Sequence, residues 1–128
     1  MSYHFSKTIA LPFYETIEKV TAALADNGFG VLTTIDVKAT LKKKIDVDFR
    51  PYTILGACNP GFAYKALQSE DKIGAMLPCN VVVQDAGDGK TEVSAVDPAA
   101  SMQAIDNPDL IEIATEVRGL LKGVVEGL

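Results

Sequence analysis

One hairpin constrains the fold of this chain more than any other segment. Residues 81–84 (Val-Val-Val-Gln) and 91–94 (Thr-Glu-Val-Ser) are rich in β-branched side chains, and the segment 85–89 between them has the Asp and Gly residues of a turn. Two such runs pair as antiparallel strands. The hairpin therefore argues against a purely parallel, doubly wound sheet.

Apolar periodicity predicts strands and helices that alternate along the rest of the chain. Asparagine or aspartate followed by proline suits a helix start, and this pair occurs at 59–60, 97–98 and 107–108. Further helices are expected from Pro12 and Asp36, and further strands at 3–9, 29–35 and 52–58. The prediction is an α+β fold, a two-layer sandwich of helices on a mixed, largely antiparallel sheet, with residues 1–128 forming a single domain.

A proline interrupts the apolar segment 73–83. Pro78 has no backbone N–H to donate to a sheet ladder. The segment is therefore expected to occupy a sheet edge, to contain a bulge or to form two consecutive strands.

Charge and hydropathy exclude several classes of function. The net charge of -5 and the pI near 4.7 disfavour nucleic acid as a partner. The amino end lacks the apolar run of a secretory signal, and no stretch approaches the ~20 apolar residues that span a bilayer. We expect a cytoplasmic protein without a membrane association, whose two cysteines stay reduced.

The helix that begins at Asp36 is expected to bury Val37, Leu41 and Ile45 and to expose its lysines. A run of lysines is usually a solvated helix face. The alternative is a weak site for an anionic metabolite or an acidic partner. Its candidate residues are Lys42, Lys43 and Lys44.

The common catalytic and cofactor motifs are absent. The sequence has no Walker loop, no G-x-G-x-x-G, no G-x-S-x-G and no C-x-x-C. Its one histidine, His4, lies on the first predicted strand, where it is more typical of surface or packing than of metal ligation. No metal ligand set, cofactor or catalytic residue is predicted, and the sequence leaves open whether the protein is an enzyme.

Both cysteines lie in short Cys-Asn segments beside a proline. Cys58 ends a predicted buried strand and precedes the helix start at Asn59-Pro60, where free amides and the helix dipole favour a thiolate. Packing as a small apolar side chain, the commonest fate of a free cysteine, is the other reading of Cys58 and also that of Cys79, whose surroundings are more apolar. Asn59 suits a cap, whereas Asn80, inside a strand, needs polar partners.

Whether the two cysteines meet depends on a topology that the residues leave open. If they do meet, a two-thiolate metal site, a redox pair or a site for bound sulfur becomes conceivable. Two thiolates alone would leave a structural zinc without enough ligands.

The sequence resembles the family called domain of unknown function 302. The resemblance spans nearly the whole chain and rests first on the segments 51–60 (Pro-Tyr-Thr-Ile-Leu-Gly-Ala-Cys-Asn-Pro) and 77–81 (Leu-Pro-Cys-Asn-Val). The other matching residues are Ala63, Ala66-Leu67, Ile73-Gly74, Val93-Ser94-Ala95 and Asp97-Pro98. It implies a compact α+β domain, often a homodimer, and no established reaction, substrate or cofactor.

Two functional hypotheses follow. The first is a homodimer that binds a small molecule or a partner in a pocket near the two Cys-Asn segments, with candidate residues Cys58, Asn59, Cys79 and Asn80. The second is thiol-dependent redox, sulfur-carrier or metal-binding chemistry that uses Cys58 with Cys79.

Overall fold

The computed structural model describes residues 2–128, which form one five-stranded sheet. The strand order is β1-β5-β4-β3-β2, and every neighbouring pair is antiparallel. The α+β prediction is confirmed, and the sheet is antiparallel throughout. The strands are β1 (His4–Ile9), β2 (Gly30–Asp36), β3 (Tyr52–Cys58), β4 (Cys79–Gly87) and β5 (Lys90–Val96).

The predicted hairpin forms the centre of the sheet. β4 and β5 pair with Val83 opposite Val93, and a bulge between Asp85 and Gly87 leads into the turn. The turn itself needs glycine, because the backbone at Gly87 and Gly89 has a positive φ.

Three helices and a 3₁₀ turn (Ile73–Met76) lie between strands, and two further helices follow the last strand. The predicted helix starts are confirmed, because the side chains of Asp36, Asn59, Asp97 and Asn107 each accept a hydrogen bond from a backbone N–H of the first turn. The helices are α1 (Phe13–Asp26), α2 (Val37–Ile45), α3 (Pro60–Ser69), α4 (Pro98–Ser101) and α5 (Pro108–Glu126).

The main core lies between one face of the sheet and helices α1 and α5. Val20 and Leu24 of α1 and Leu121 of α5 are fully buried there. They pack against the alternate residues of the central strands that point to this face. Those residues are Leu55, Ala57, Cys79, Val81, Val83, Val93 and Ala95.

Pro78 does not interrupt a strand. β4 is a single strand in the centre of the sheet, and Pro78 precedes its first residue after a cis Leu77–Pro78 peptide bond. The expected edge position, the bulge at this proline and the pair of consecutive strands are therefore wrong. The missing N–H is tolerated because the proline lies outside the ladder.

The other face of the sheet, which we call the open face, consists of three cross-strand rows. Its middle row is Ile35, Ile54, Val82, Ser94 and Ser6. The rows on either side are Thr33, Gly56, Asn80, Val96 and His4, and Tyr52, Gln84, Glu92 and Thr8. None of these side chains except the Gly56 position is buried.

Helix α2 buries none of its residues, which differs from the expected inner face of Val37, Leu41 and Ile45. It lies against β2 and β3, and Ile45 remains 63% exposed. The edge strand β2 is also poorly covered, with Leu32 67% and Ile35 46% exposed. No helix formed by residues 2–128 has the length and apolar character required to cross a bilayer.

A cysteine-lined cavity at one end of the sheet

The antiparallel topology brings both cysteines to the same end of the sheet. β3 ends where β4 begins, and Ala57 is the register partner of Cys79, so Cys58 is one residue beyond that pair. β5 ends beside the start of β4 and continues into Asp97-Pro98. Three segments that are distant in the sequence therefore converge.

A cavity of about 40 Å³ lies at this convergence, and we call it the thiol cavity. Both cysteines line it, and most of the rest of its wall is hydrocarbon. This volume accommodates no more than a few small atoms or waters. The wall includes Phe62 and Ala63 of α3, Ala114 of α5, and Met102.

Cys79 is a buried, neutral thiol. Burial, and to a smaller extent the neighbouring Cys58, together raise its pKa from 9.0 to about 11. Cys58 directly follows Ala57, the register partner of Cys79, and both cysteines line the same cavity. Cys58 is half-buried and is the more accessible of the two free thiols.

Asn59 both caps a helix and lines the cavity. Its Oδ1 accepts a hydrogen bond from the Phe62 N–H at 3.3 Å, which fixes the start of α3 directly after Cys58. Gly28 lies on the other side, where a Cβ would be 3.0 Å from Asn59 Nδ2. The predicted cap is confirmed, and it sets the position of one cavity wall.

Asn80 lies on the opposite face of the sheet. Successive side chains of a strand alternate between faces, so Cys79 points into the core and Asn80 toward solvent. Asn80 lines a separate groove of about 350 Å³ on the open face, together with His4, Tyr52 and Gln84. The structure thus brings together Cys58, Asn59 and Cys79, and it leaves Asn80 outside their cavity.

The three candidate lysines occupy the last turn of α2, away from the thiol cavity. Lys42 Nζ lies 2.9 Å from an Asp46 carboxylate oxygen and 3.3 Å from one of Asp48. Lys42 therefore already has two anionic neighbours. Lys43 and Lys44 are exposed at the helix C-terminus, where the helix dipole favours positive charge.

Met102 was not identified from the sequence as a site residue. It follows α4, whose start is held by the Asp97 carboxylate through the backbone N–H groups of Ala99 and Ala100. The same carboxylate accepts a hydrogen bond from Arg118 Nε of α5 at 3.1 Å. These contacts hold the loop that places Met102, 6% exposed, against the cavity.

No conventional metal centre is formed by the part of the chain that the structure describes. Residues 2–128 contain no cluster of three or more His, Cys, Asp or Glu side chains that could hold an ion. His4, the single histidine, lies on the open face and not at the thiol cavity.

A crystal structure with the same architecture exists. It is that of an uncharacterized conserved protein, DUF302, from Bacillus stearothermophilus. The two sequences are 31% identical, 98% of each chain is covered, and the TM-score is 0.90. No curated protein matches this chain.

Fold and sequence together define the class as a small α+β domain of uncharacterised activity. The family model described as "Domain of unknown function DUF302" matches residues 5–128. The chain belongs to the DUF302 family. The resemblance seen in the Cys-Asn segments is thereby confirmed.

Proposed function

We propose that this protein is a homodimeric binding domain that holds a small ligand in the thiol cavity. The observation that carries the proposal is the convergence of Cys58 and Cys79, from two different strands, on one cavity. A cytoplasmic location belongs to the same proposal, since a reducing compartment keeps both cysteines as free thiols.

The composition of the cavity favours binding over catalysis. Apart from the two thiols and the Asn59 amide, the described residues of its wall are apolar, and none is a carboxylate or an imidazole. General acid–base catalysis needs such a group within hydrogen-bond reach of the substrate. The groove on the open face is larger and more polar, but it contains neither cysteine.

Native mass spectrometry of the purified chain tests the ligand site. Cys58→Ser is expected to lose a bound mass that the wild type retains, while its thermal stability stays nearly unchanged. Ala63→Val, which adds volume to the half-buried cavity wall, serves as a second variant and is expected to lose the same mass. A cavity that is only a packing defect would give stabilisation by Ala63→Val and no bound mass in either protein. A Cys58→Ser chain that fails to fold would instead assign Cys58 to packing.

The open face supports the dimeric part of the proposal. Ile35, Ile54 and Val82 form an apolar strip in its middle row, and neither α1 nor α5 covers them. Glu92 is the only charged residue of the three rows, and the Arg50 guanidinium donates to Gln84 in one outer row and leaves the middle row without charge. Depletion of charge is characteristic of the centre of a protein interface.

The size of the open face also suits a second copy. Five strands about 4.8 Å apart and about six residues long give a face of roughly 24 Å by 20 Å. Two copies stacked through it would bury on the order of 1,000 Å², the lower limit of a specific interface. Part of the poorly covered surface, Leu32 and Ile45, adjoins this face through β2 and α2.

Thiol chemistry at Cys58, assisted or resolved by Cys79, is the second candidate. It is favoured by the position of Cys58, which is half-buried and directly precedes the capped start of α3. As a nucleophile or persulfide carrier, Cys58 would react with iodoacetamide well below the pH at which an ordinary thiol ionises. Labelling rates across pH test this, and a Cys58 that reacts only as an ordinary thiol would contradict it.

A further inference from the structure

Three sulfur side chains line the thiol cavity. Cys58 ends β3, Cys79 begins β4, and Met102 follows α4. Cys79 and Met102 are only 9% and 6% exposed. The chain has two cysteines and three methionines in all, so the cavity gathers three of the five sulfur atoms.

The volume of the cavity restricts what it can hold. Pockets for organic ligands and cofactors typically occupy roughly 300–1,000 Å³. The thiol cavity, at about 40 Å³, accepts a single ion or a species of a few atoms. An organic ligand would have to displace the buried side chains of α3 and α5.

The donor atoms in the cavity wall limit which metal ion can bind there. Mg²⁺ and Ca²⁺ require oxygen ligands, and the amide oxygen of Asn59 is already used as a helix cap. A structural zinc ion requires four ligands, and among residues 2–128 no histidine or carboxylate joins the two thiols. Thiolates and thioethers bind soft metals, namely Cu(I), zinc and iron–sulfur clusters. A cluster needs about four cysteines and the chain has two, so Cu(I) is the ion that remains.

We propose that the thiol cavity is a Cu(I) site in which Cys58 Sγ, Cys79 Sγ and Met102 Sδ are the ligands. This inference rests on the proposed function, because it identifies the small ligand of the same cavity. Binding converts both thiols to thiolates and releases two protons, so that a cation and two neutral side chains become a site of net charge -1. Cys58, the half-buried ligand, gives the protons and the ion a route to solvent.

Competition with a chelator tests the proposal. The intact apo chain is titrated anaerobically with Cu(I) in the presence of bicinchoninate, whose colour reports the copper that the protein has not taken. One Cu(I) per chain is expected, with an X-ray absorption spectrum that shows sulfur ligands only. Zn²⁺ added under the same conditions should not displace it.

Variants assign the ligands. We expect Cys79→Ser to weaken Cu(I) binding at least about 100-fold and Met102→Leu about tenfold. Leucine conserves the volume of methionine, so Met102→Leu should remain folded. The matched control is Met76→Leu, because Met76 is 41% exposed and lies outside the cavity; it should bind Cu(I) as the wild type does.

Several outcomes would overturn the Cu(I) site. They are a failure to compete with bicinchoninate, nitrogen or oxygen ligands in the spectrum, or equal affinities of Met102→Leu and Met76→Leu. If Cys79→Ser does not fold, Cys58→Ser takes its place with the same expectation. A retained organic mass that depends on Cys58, in a chain that does not bind Cu(I), would refute this inference and leave the proposed function intact.

Discussion

The chemistry of Cys79 is set by where its side chain points. The thiol faces the core from the first position of a central strand, and burial together with the nearby Cys58 raises its pKa to about 11. At neutral pH it is therefore a proton-bearing, weakly nucleophilic group. Only a ligand that replaces its proton, such as a soft metal ion, makes it a thiolate under these conditions.

This pKa predicts how stability depends on pH. Because the folded pKa of about 11 exceeds the ordinary 9.0, the unfolded chain loses the Cys79 proton first as the pH rises. The contribution is complete below pH 9 and is lost as the pH rises through 11. The stability advantage of the wild type over Cys79→Ala, measured by urea unfolding, should thus be smaller at pH 10.5 than at pH 8.

The comparison with Cys79→Ala isolates this group, since every other ionisable side chain is present in both proteins. A difference in unfolding free energy that stays constant between the two pH values would show that the buried thiol does not contribute as described.

Gly56 illustrates a close approach that no larger residue permits. A Cβ at this position would overlap the side chain of Thr33 and lie 2.7 Å from Cγ of Pro78. Since Pro78 is rigid and precedes Cys79, the clash would be transmitted to the cavity. Gly56→Ala should therefore destabilise the protein by about 1–3 kcal/mol, as measured by chemical denaturation.

Gly30, on the neighbouring strand, provides the control for this substitution. A Cβ there meets nothing within 4 Å, so Gly30→Ala should leave the stability nearly unchanged. Equal effects of the two alanines would show that general strand properties, and not the contact with Pro78, explain the result.

At the scale of the elements, the start of α3 is the part of the cavity wall that a substitution can loosen most selectively. Asn59 supplies the cap, and Phe62 and Ala63 follow in the first turn. We expect Asn59→Ala to lower the free energy of unfolding by about 1 kcal/mol. It should also speed the labelling of Cys58 by iodoacetamide, since the helix start next to it frays.

Asn59→Asp is the matched variant, because aspartate caps helices as well as asparagine does. It should retain most of the stability and the slow labelling. If Asn59→Ala and Asn59→Asp behave alike in both measurements, the cap does not hold the cavity wall.

The local elements were predictable because their signals are local. An asparagine or aspartate cap followed by proline predicts the starts of α3, α4 and α5, and the repeated valines predict the central hairpin. The prediction for Pro78 is wrong because a proline beside an apolar run gives the same sequence pattern whether it lies inside a strand or one residue before it. The two cases are distinguished only by the hydrogen bonds between the strands, which show where β4 begins.

The site was predictable only in part, because the order and pairing of the strands bring its residues together. The Cys-Asn pattern pointed to both cysteines, yet it grouped Asn80 with them although strand alternation turns it to the open face. Met102 has no recognisable sequence pattern, because its position at the cavity depends on the packing of α4 against α5. Proximity that arises from tertiary packing produces no local sequence pattern.

At the scale of the whole molecule, the two faces of the sheet are covered unequally, and the open face is where we expect a second copy to bind. Helices α1 and α5 bury one face, whereas on the other face Ile54 and Val82 are only half-buried and Ile35 is 46% exposed. We expect Val82→Lys, which places a charge at the centre of the open face, to convert the proposed homodimer to a monomer. Sedimentation equilibrium measures this directly.

Ile111→Lys tests whether the second copy packs on the outer side of α5 instead of on the open face. Ile111 is 57% exposed on that helix, so a lysine there should leave the dimer intact. A monomer produced by Ile111→Lys and a dimer retained by Val82→Lys would place the second copy on the helical side instead.

The central claim is a homodimer with a ligand in each thiol cavity, and one native mass spectrum of the intact chain, purified without oxygen or chelators, tests both halves. The account predicts a species of two 13.7 kDa chains that carries extra bound mass, and a Cys58→Ser dimer without that mass. A bare 13.7 kDa monomer, with the same spectrum for Cys58→Ser, would contradict it.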